Sequence, residues 1–207
     1  FTMPQSFFNT YPQARVEVVE IDPAVVEVGR RFFQLDQYPQ LHIVVDDARR
    51  YLSRTQTKYH LIFGDAYNGL RSVPAHLLTR EFFQSVKNRL AEGGIFMINI
   101  ISAIKGRDSA LFMSVMKTIS QVFPETQVFA TVPQKLAQLQ SIIIVAANSD
   151  LQLDSVLSEI PPDKNHLRKL LLTRISPPQY TTRNGHVLTD SFNPVEYLAA
   201  QTIQKGQ

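Results

Sequence analysis

Short apolar runs alternate along this chain with longer stretches in which apolar residues return at helical spacing. The run at 15–21 predicts a buried strand, and Pro23 to Leu35 predicts the helix that follows it. Asp22 suits the N-cap, Pro23 the first helical position, and Val25, Val26, Val28, Phe32 and Phe33 form the apolar face. Ahead of that strand, Thr2-Met3-Pro4-Gln5 opens another helix. A strand at 41–45, a helix at 47–54 and a strand at 59–64 continue the alternation. Next come a loop with Gly69 and Pro74, a helix at 79–91, a stop at Gly93-Gly94, and a strand at 94–101 that contains the longest apolar run. A helix from Asp108 to Val122, ended by Pro124, leads to strands at 126–131 and 140–147.

Strands alternating with helices predict an α/β, doubly wound, mostly parallel sheet. Residues 133–140 are too few for a right-handed crossover carrying a helix, so the last two strands are expected to pair antiparallel at an edge. Beyond Asn148 the pattern turns helical, at 151–159 and 163–172. After the loop Ser176 to Thr182, Asn193 (N-cap), Pro194 and Glu196 open a last helix in a capping-box variant. The expected organisation is a domain over 1–148 and a C-terminal helical extension over 149–207 packed on it.

Composition narrows the chemistry. The 207 residues are 44% hydrophobic, enough for a full core. A net charge of +3 with no basic block gives no reason to expect nucleic acid. With no cysteine there is no disulfide, thiolate catalysis or Cys-ligated zinc, and the five histidines lack metal-ligand spacing. No metal is therefore expected. A Gly-x-Ser-x-Gly elbow is missing, which removes support for a hydrolase triad. No apolar stretch approaches the roughly 20 residues of a membrane span, so membrane contact by this segment is not expected.

The chemistry that remains is acidic. Glu20, Asp47 and Asp65 each follow an apolar run. Ligands of open α/β sheets bind beyond the carboxyl ends of the strands, so these acids are expected to face one crevice. Such a row suits ribose hydroxyls, an exocyclic amine and a cationic centre, the groups of an S-adenosyl compound. Glu20 in particular can accept two vicinal O–H donors and reject a 2′-phosphate. Asp22 suits a helix cap better than a ligand contact.

Four blocks then carry a resemblance. They are Val-Val-Glu-Ile-Asp-Pro at 18–23, Asp-Asp-Ala-Arg-Arg-Tyr-Leu at 46–52, Leu-Ile-Phe-Gly-Asp-Ala-Tyr-Asn at 61–68, and the stretch from Pro74 to Asn99 with Glu-Gly-Gly-Ile-Phe-Met-Ile-Asn. In this order and spacing they resemble the catalytic domain of the spermidine synthase family, and in particular its bacterial spermidine synthase-like branch. The resemblance implies the S-adenosylmethionine-dependent methyltransferase (Rossmann-like) type of sheet, with an antiparallel edge strand. It also implies that the family's first strand and Gly-rich loop are missing from this chain and would precede Phe1, leaving the adenosyl-binding domain incomplete at its N-terminus. A degenerate copy is the alternative.

The resemblance also implies roles. Glu20 would bind the ribose, and Asp47 the adenine amine with Ala48 beside it; Asp46 competes with Asp47 for that part. Asp65 would be the general base of aminopropyl transfer from decarboxylated S-adenosylmethionine to a diamine such as putrescine. Tyr67 would contact the amine or sulfonium, or else fill space in its loop. One position departs from the pattern: Asn68 stands where polyamine synthases carry a second aspartate, and Arg71 follows nearby. A charge-assisted bond to an ammonium is worth about 1.5–3 kcal/mol more than none, so putrescine binding would weaken. Three readings stay open: the aminopropyltransferase, an S-adenosylmethionine-dependent methyltransferase on the same fold, and a non-catalytic descendant. The expected partner is a small-molecule amine in the cytoplasm; homodimer formation is left open.

Overall fold

A computed structural model describes residues 2–67, 73–177 and 179–203. They divide into two compact units, 1–55 and 56–207.

In the first unit, helix α1 (Thr2–Thr10) precedes strand β1 (Val16–Glu20), helix α2 (Pro23–Phe33), strand β2 (Leu41–Val45) and helix α3 (Ala48–Arg54). β1 and β2 pair in parallel, Val16 with Leu41 through Glu20 with Val45, so both strands end at the same edge. α2 starts where its cap requires: the Asp22 side chain accepts from the Ala24 N–H at 2.8 Å, and Pro23 needs no donor partner there. It stops at Gln34, whose left-handed φ of 53° ends the helix. Of the apolar face expected on α2, Val26 is buried, whereas Val25, Val28, Phe32 and Phe33 are exposed. Phe8 of α1 stacks on Tyr38 with ring centroids 5.2 Å apart.

The second unit is built on a five-stranded sheet in the order β3-β4-β6-β5-β7. Its strands are β3 (Tyr59–Gly64), β4 (Leu90–Ser102), β5 (Glu125–Ala130), β6 (Gln140–Ala147) and β7 (Arg174–Ile175). β3 and β4 are parallel, while β4·β6, β6·β5 and β5·β7 are antiparallel. The expected antiparallel edge is therefore present. β6 inserts between β4 and β5, and β7 extends the edge with two residues that lie between the helix expected at 163–172 and the loop expected from Ser176.

β4 is longer than the apolar run alone suggested. Helix α4 (Arg80–Arg89) is capped by Thr79, whose hydroxyl accepts from the Phe82 N–H at 3.2 Å, and it hands over directly to β4 at Leu90. Gly93 and Gly94 lie inside the strand instead of stopping the helix. Gly93 takes a φ of +68°, and a Cβ on Gly94 would stand 2.8 Å from the Tyr59 carbonyl oxygen. The β3·β4 register shifts at this point, between Tyr59 and Leu61.

Helix α5 (Ala110–Ile119) follows a short 3-10 turn, and the C-terminal region adds α6 (Leu153–Glu159), α7 (Asn165–Leu171) and α8 (Val195–Ile203). The core lies here. Phe96, Ile98 and Ile100 alternate inward along β4, and Phe83, Phe96 and Phe123 follow one another at centroid distances of 5.9 and 6.1 Å. Full burial of each such ring contributes about 1.5–3 kcal/mol. No helix among the described residues is long and apolar enough to cross a membrane.

Candidate active site

Two groups of polar residues lie at carboxyl ends of parallel strands, one in each unit.

In the first unit, the in-register ends of β1 and β2 bring Glu20 beside Asp46, whose N–H donates to the Glu20 carbonyl at 3.1 Å. One Glu20 carboxylate oxygen accepts from the Asp22 N–H at 2.9 Å; among the described residues the other accepts nothing. Since each carboxylate oxygen offers two lone pairs, Glu20 keeps acceptor capacity for a ligand. Asp46 and Asp47 are engaged differently. Asp46 is buried and accepts from the Asp47 N–H at 2.8 Å and from the guanidinium groups of Arg50 and Arg54. Burial pushes its pKa upward, but the Arg50 and Asp47 hydrogen bonds and the two arginine charges outweigh it and hold the carboxyl below its ordinary value of 3.8. Asp47 is the N-cap of α3, accepting from the Arg50 N–H at 2.8 Å, and Ala48 opens the helix. Further back on β1, Glu17 accepts from the Tyr51 hydroxyl at 2.6 Å and lies 3.1 Å from His42 Nδ1.

In the second unit, Asp65 follows Gly64 at the end of β3. Gly64 pairs with Ile98, so the next residue on β4 is Asn99. The Asn99 amide donates from Nδ2 to Asp65 Oδ1 at 3.0 Å and accepts at Oδ1 from the Ser141 hydroxyl at 2.7 Å. Ser141 lies on β6 opposite Ile101, two positions along from the partner of Asn99, which puts both side chains on one face. The Tyr67 hydroxyl donates to the Asn99 carbonyl at 3.2 Å. Burial, and then the Asp65 charge, push the Tyr67 phenol up to about 12, so it stays a donor across the physiological range. Asp65 itself is exposed, and its Oδ2 accepts no hydrogen bond from the described residues. Asn68 and Arg71 lie outside the described residues.

Sequence reasoning overlooked Asn99 and Ser141. A signal existed for Asn99, an amide standing inside the longest apolar run, Ile95–Ile101. None existed for Ser141, because its role depends on which strand lies beside β4. Among the described residues no three His, Asp or Glu side chains converge as metal ligands would.

Parallel β–α units closed by an antiparallel edge, with acids at the strand ends, define a Rossmann-like fold of the S-adenosylmethionine-dependent methyltransferase type. Within that class the relationship is closer still. Residues 7–155 match the spermine/spermidine synthase domain, and the chain belongs to that family. It is 34% identical over 119 residues to a polyamine aminopropyltransferase of Vibrio vulnificus, a match that covers 55% of this chain and 40% of that protein. The chain therefore aligns with less than half the length of that relative. Among solved structures, a probable spermidine synthase from Corynebacterium glutamicum superposes with a TM-score of 0.71 at 25% identity, covering 91% of this chain and 68% of the other. Human methyltransferase-like protein 13, solved in complex with SAH, superposes with a TM-score of 0.59 at 21% identity, covering 83% and 75%. The second likeness concerns the fold alone.

Proposed function

We propose that this chain is the adenosyl-binding catalytic region of a spermidine synthase-like aminopropyltransferase. The observation that carries the reading is Asp65 at the carboxyl end of β3, held through one oxygen by Asn99 and, among the described residues, open at the other, in a chain of the spermine/spermidine synthase family. Transfer requires an uncharged amine to attack the methylene carbon next to a sulfonium. The new N–C bond forms as the C–S bond breaks, the sulfur leaves as a neutral thioether, and the nitrogen gives up a proton. Asp65 receives that proton through its open oxygen and holds the nitrogen in line. The donor, decarboxylated S-adenosylmethionine, brings its own leaving group, so the protein supplies placement and a base.

Glu20 would take the ribose hydroxyls with its remaining acceptor capacity. Asp47 and Ala48 would face the adenine amine, and Asp46, already held by Arg50 and Arg54, would support that turn. Tyr67 would line the amine side. The acceptor would be a diamine; because Asn68 lacks the second charge of the family pattern, a poor affinity for putrescine goes with this reading, as does a cytoplasmic location. The test uses the full-length protein with decarboxylated S-adenosylmethionine and a panel of diamines. Asp65→Asn is expected to lower turnover by about 10²–10⁴-fold, as loss of a positioned base does, with adenosyl binding nearly unchanged. Undiminished turnover in Asp65→Asn overturns its role as base.

Asn68 favours a second reading, methyl transfer from S-adenosylmethionine, since a neutral residue there suits an acceptor other than a dication. Methylated product without aminopropyl product in the same assay would establish it.

A further inference from the structure

The hydrogen bonds around Asp65 continue past it. Asn99 Nδ2 donates to Asp65 Oδ1 at 3.0 Å, Ser141 Oγ donates to Asn99 Oδ1 at 2.7 Å, and the Ser141 carbonyl accepts both from the Thr131 hydroxyl at 2.7 Å and from the Thr131 N–H at 3.1 Å. The Asn99 carbonyl meanwhile accepts from Tyr67. Asn99 thus joins the loop after β3 to the sheet through its side chain and its backbone at once.

The direction of this chain follows from electrostatics. An asparagine amide can face Asp65 with either its NH₂ or its oxygen. The oxygen would set two acceptors against each other with one of them charged, so the NH₂ must face the carboxylate. The amide oxygen then points to β6, where Ser141 is a donor. A serine hydroxyl can rotate to donate, and here the pairing of Ser141 with Ile101 and the Thr131 contacts fix where it starts from. The result is an exposed carboxylate with one oxygen tied and the other without a donor among the described residues.

We propose that Asn99, itself oriented by Ser141, is the positioning residue for the Asp65 carboxylate. The proposal rests on the reading of Asp65 as the base, and adds that Asn99 holds the base in the orientation from which it takes the proton. A carboxylate whose χ angles are free presents its open oxygen to the amine for only part of the time, and proton transfer needs it within hydrogen-bond reach at the moment of attack. The effect belongs to kcat, since donor binding does not involve this oxygen.

The experiment has two arms on the full-length protein. In steady-state kinetics with decarboxylated S-adenosylmethionine and saturating diamine, Asn99→Leu is expected to lower kcat roughly 10–100-fold, the value of one hydrogen bond to a charged group. Ser141→Ala should lower it roughly 3–10-fold, as for a neutral bond. Ser141→Thr, which keeps the hydroxyl, should restore kcat to near the wild-type value, and the dissociation constant of the donor should stay constant throughout. In the second arm, the Asn99 side-chain amide is followed by ¹H–¹⁵N NMR, and its resonances should shift in both Asp65→Asn and Ser141→Ala. Unchanged kcat in Asn99→Leu overturns the proposal, as does a loss that Ser141→Thr fails to rescue and that donor affinity shares. If the wild-type protein makes no aminopropyl product, the reading of Asp65 as base has failed; the amide resonances then decide the positioning chain alone, and their indifference to Asp65→Asn overturns it.

Discussion

Tyr67 shows how far a single side chain can be shifted by its surroundings. Burial removes water from the phenolate, and the Asp65 carboxylate adds repulsion, so the group titrates near 12 instead of 10.0. The sign follows: the proton is held more tightly in the folded protein, so this contribution to stability is complete below pH 10 and is lost as pH rises through about 12. In an absorbance titration, one phenolate signal, absent from Tyr67→Phe, is expected to emerge near pH 12. Asp65→Asn should move that signal down only part of the way, because burial is the larger cause. A Tyr67 signal at the ordinary value, or one blind to Asp65→Asn, would contradict the placement of the two groups. Asp46 behaves in the opposite sense. Its carboxyl is held low by Arg50, the Asp47 N–H and Arg54, so the stability it provides is present above 3.8 and fades as pH falls through the lower folded value.

At the scale of elements, the C-terminal segment is fastened to the second unit by helix side chains. On α5, Ser114 and Thr118 return hydrogen bonds to the carbonyls of Ala110 and Ser114 and then accept from the N–H groups of His186 and Leu188 at 3.0 and 2.9 Å. Lys117 donates to the Gly185 carbonyl at 2.9 Å. The segment also meets the start of α4, where the Leu188 carbonyl accepts from the Arg80 N–H and Glu81 accepts from the Asp190 N–H. Gly185 lets the backbone lie this close, since a Cβ there would stand 2.4 Å from the Met113 carbonyl oxygen. Neither atom has a flexible end that could swing away. Gly185→Ala is expected to cost about 1–3 kcal/mol in denaturant unfolding, the usual range for forcing a methyl into a filled space. A cost near zero would mean the segment does not lie against α5 in solution.

For the whole molecule, the two units differ in how much they bury. Among the described residues the buried apolar side chains of the first unit are Phe8, Val26, Leu35 and Leu52, beneath a two-stranded sheet. The second unit surrounds β4 and β6 with fully buried Phe83, Phe96, Phe112, Ile98, Ile142 and Ile144. Two-stranded sheets are marginal by themselves, and opening free energy follows local burial. Hydrogen exchange on this 207-residue chain should therefore find the β1 and β2 amides opening at lower free energy than those of β4 and β6. Equal protection in the two units would refute this ordering.

Local chemistry was legible in the sequence because it acts within a few residues. Asp22 and Pro23 start α2, apolar runs mark β1 to β4, and Asp65 follows β3, all through neighbours in the chain. The antiparallel pairing of β5 and β6 was legible too, since the short link between them excludes a crossover. What the sequence left undecided needs partners far along the chain. That β6 enters between β4 and β5, and so carries Ser141 to Asn99, depends on pairing across 42 positions. The two residues of β7 carry no periodic signal and become a strand only because β5 offers an edge. Likewise Gly93 and Gly94, which locally read as a helix stop, belong to a strand because β3 approaches them. Caps and hydrophobic period are properties of one segment, whereas strand order and the orientation of a carboxylate belong to surfaces that exist only after the chain has folded.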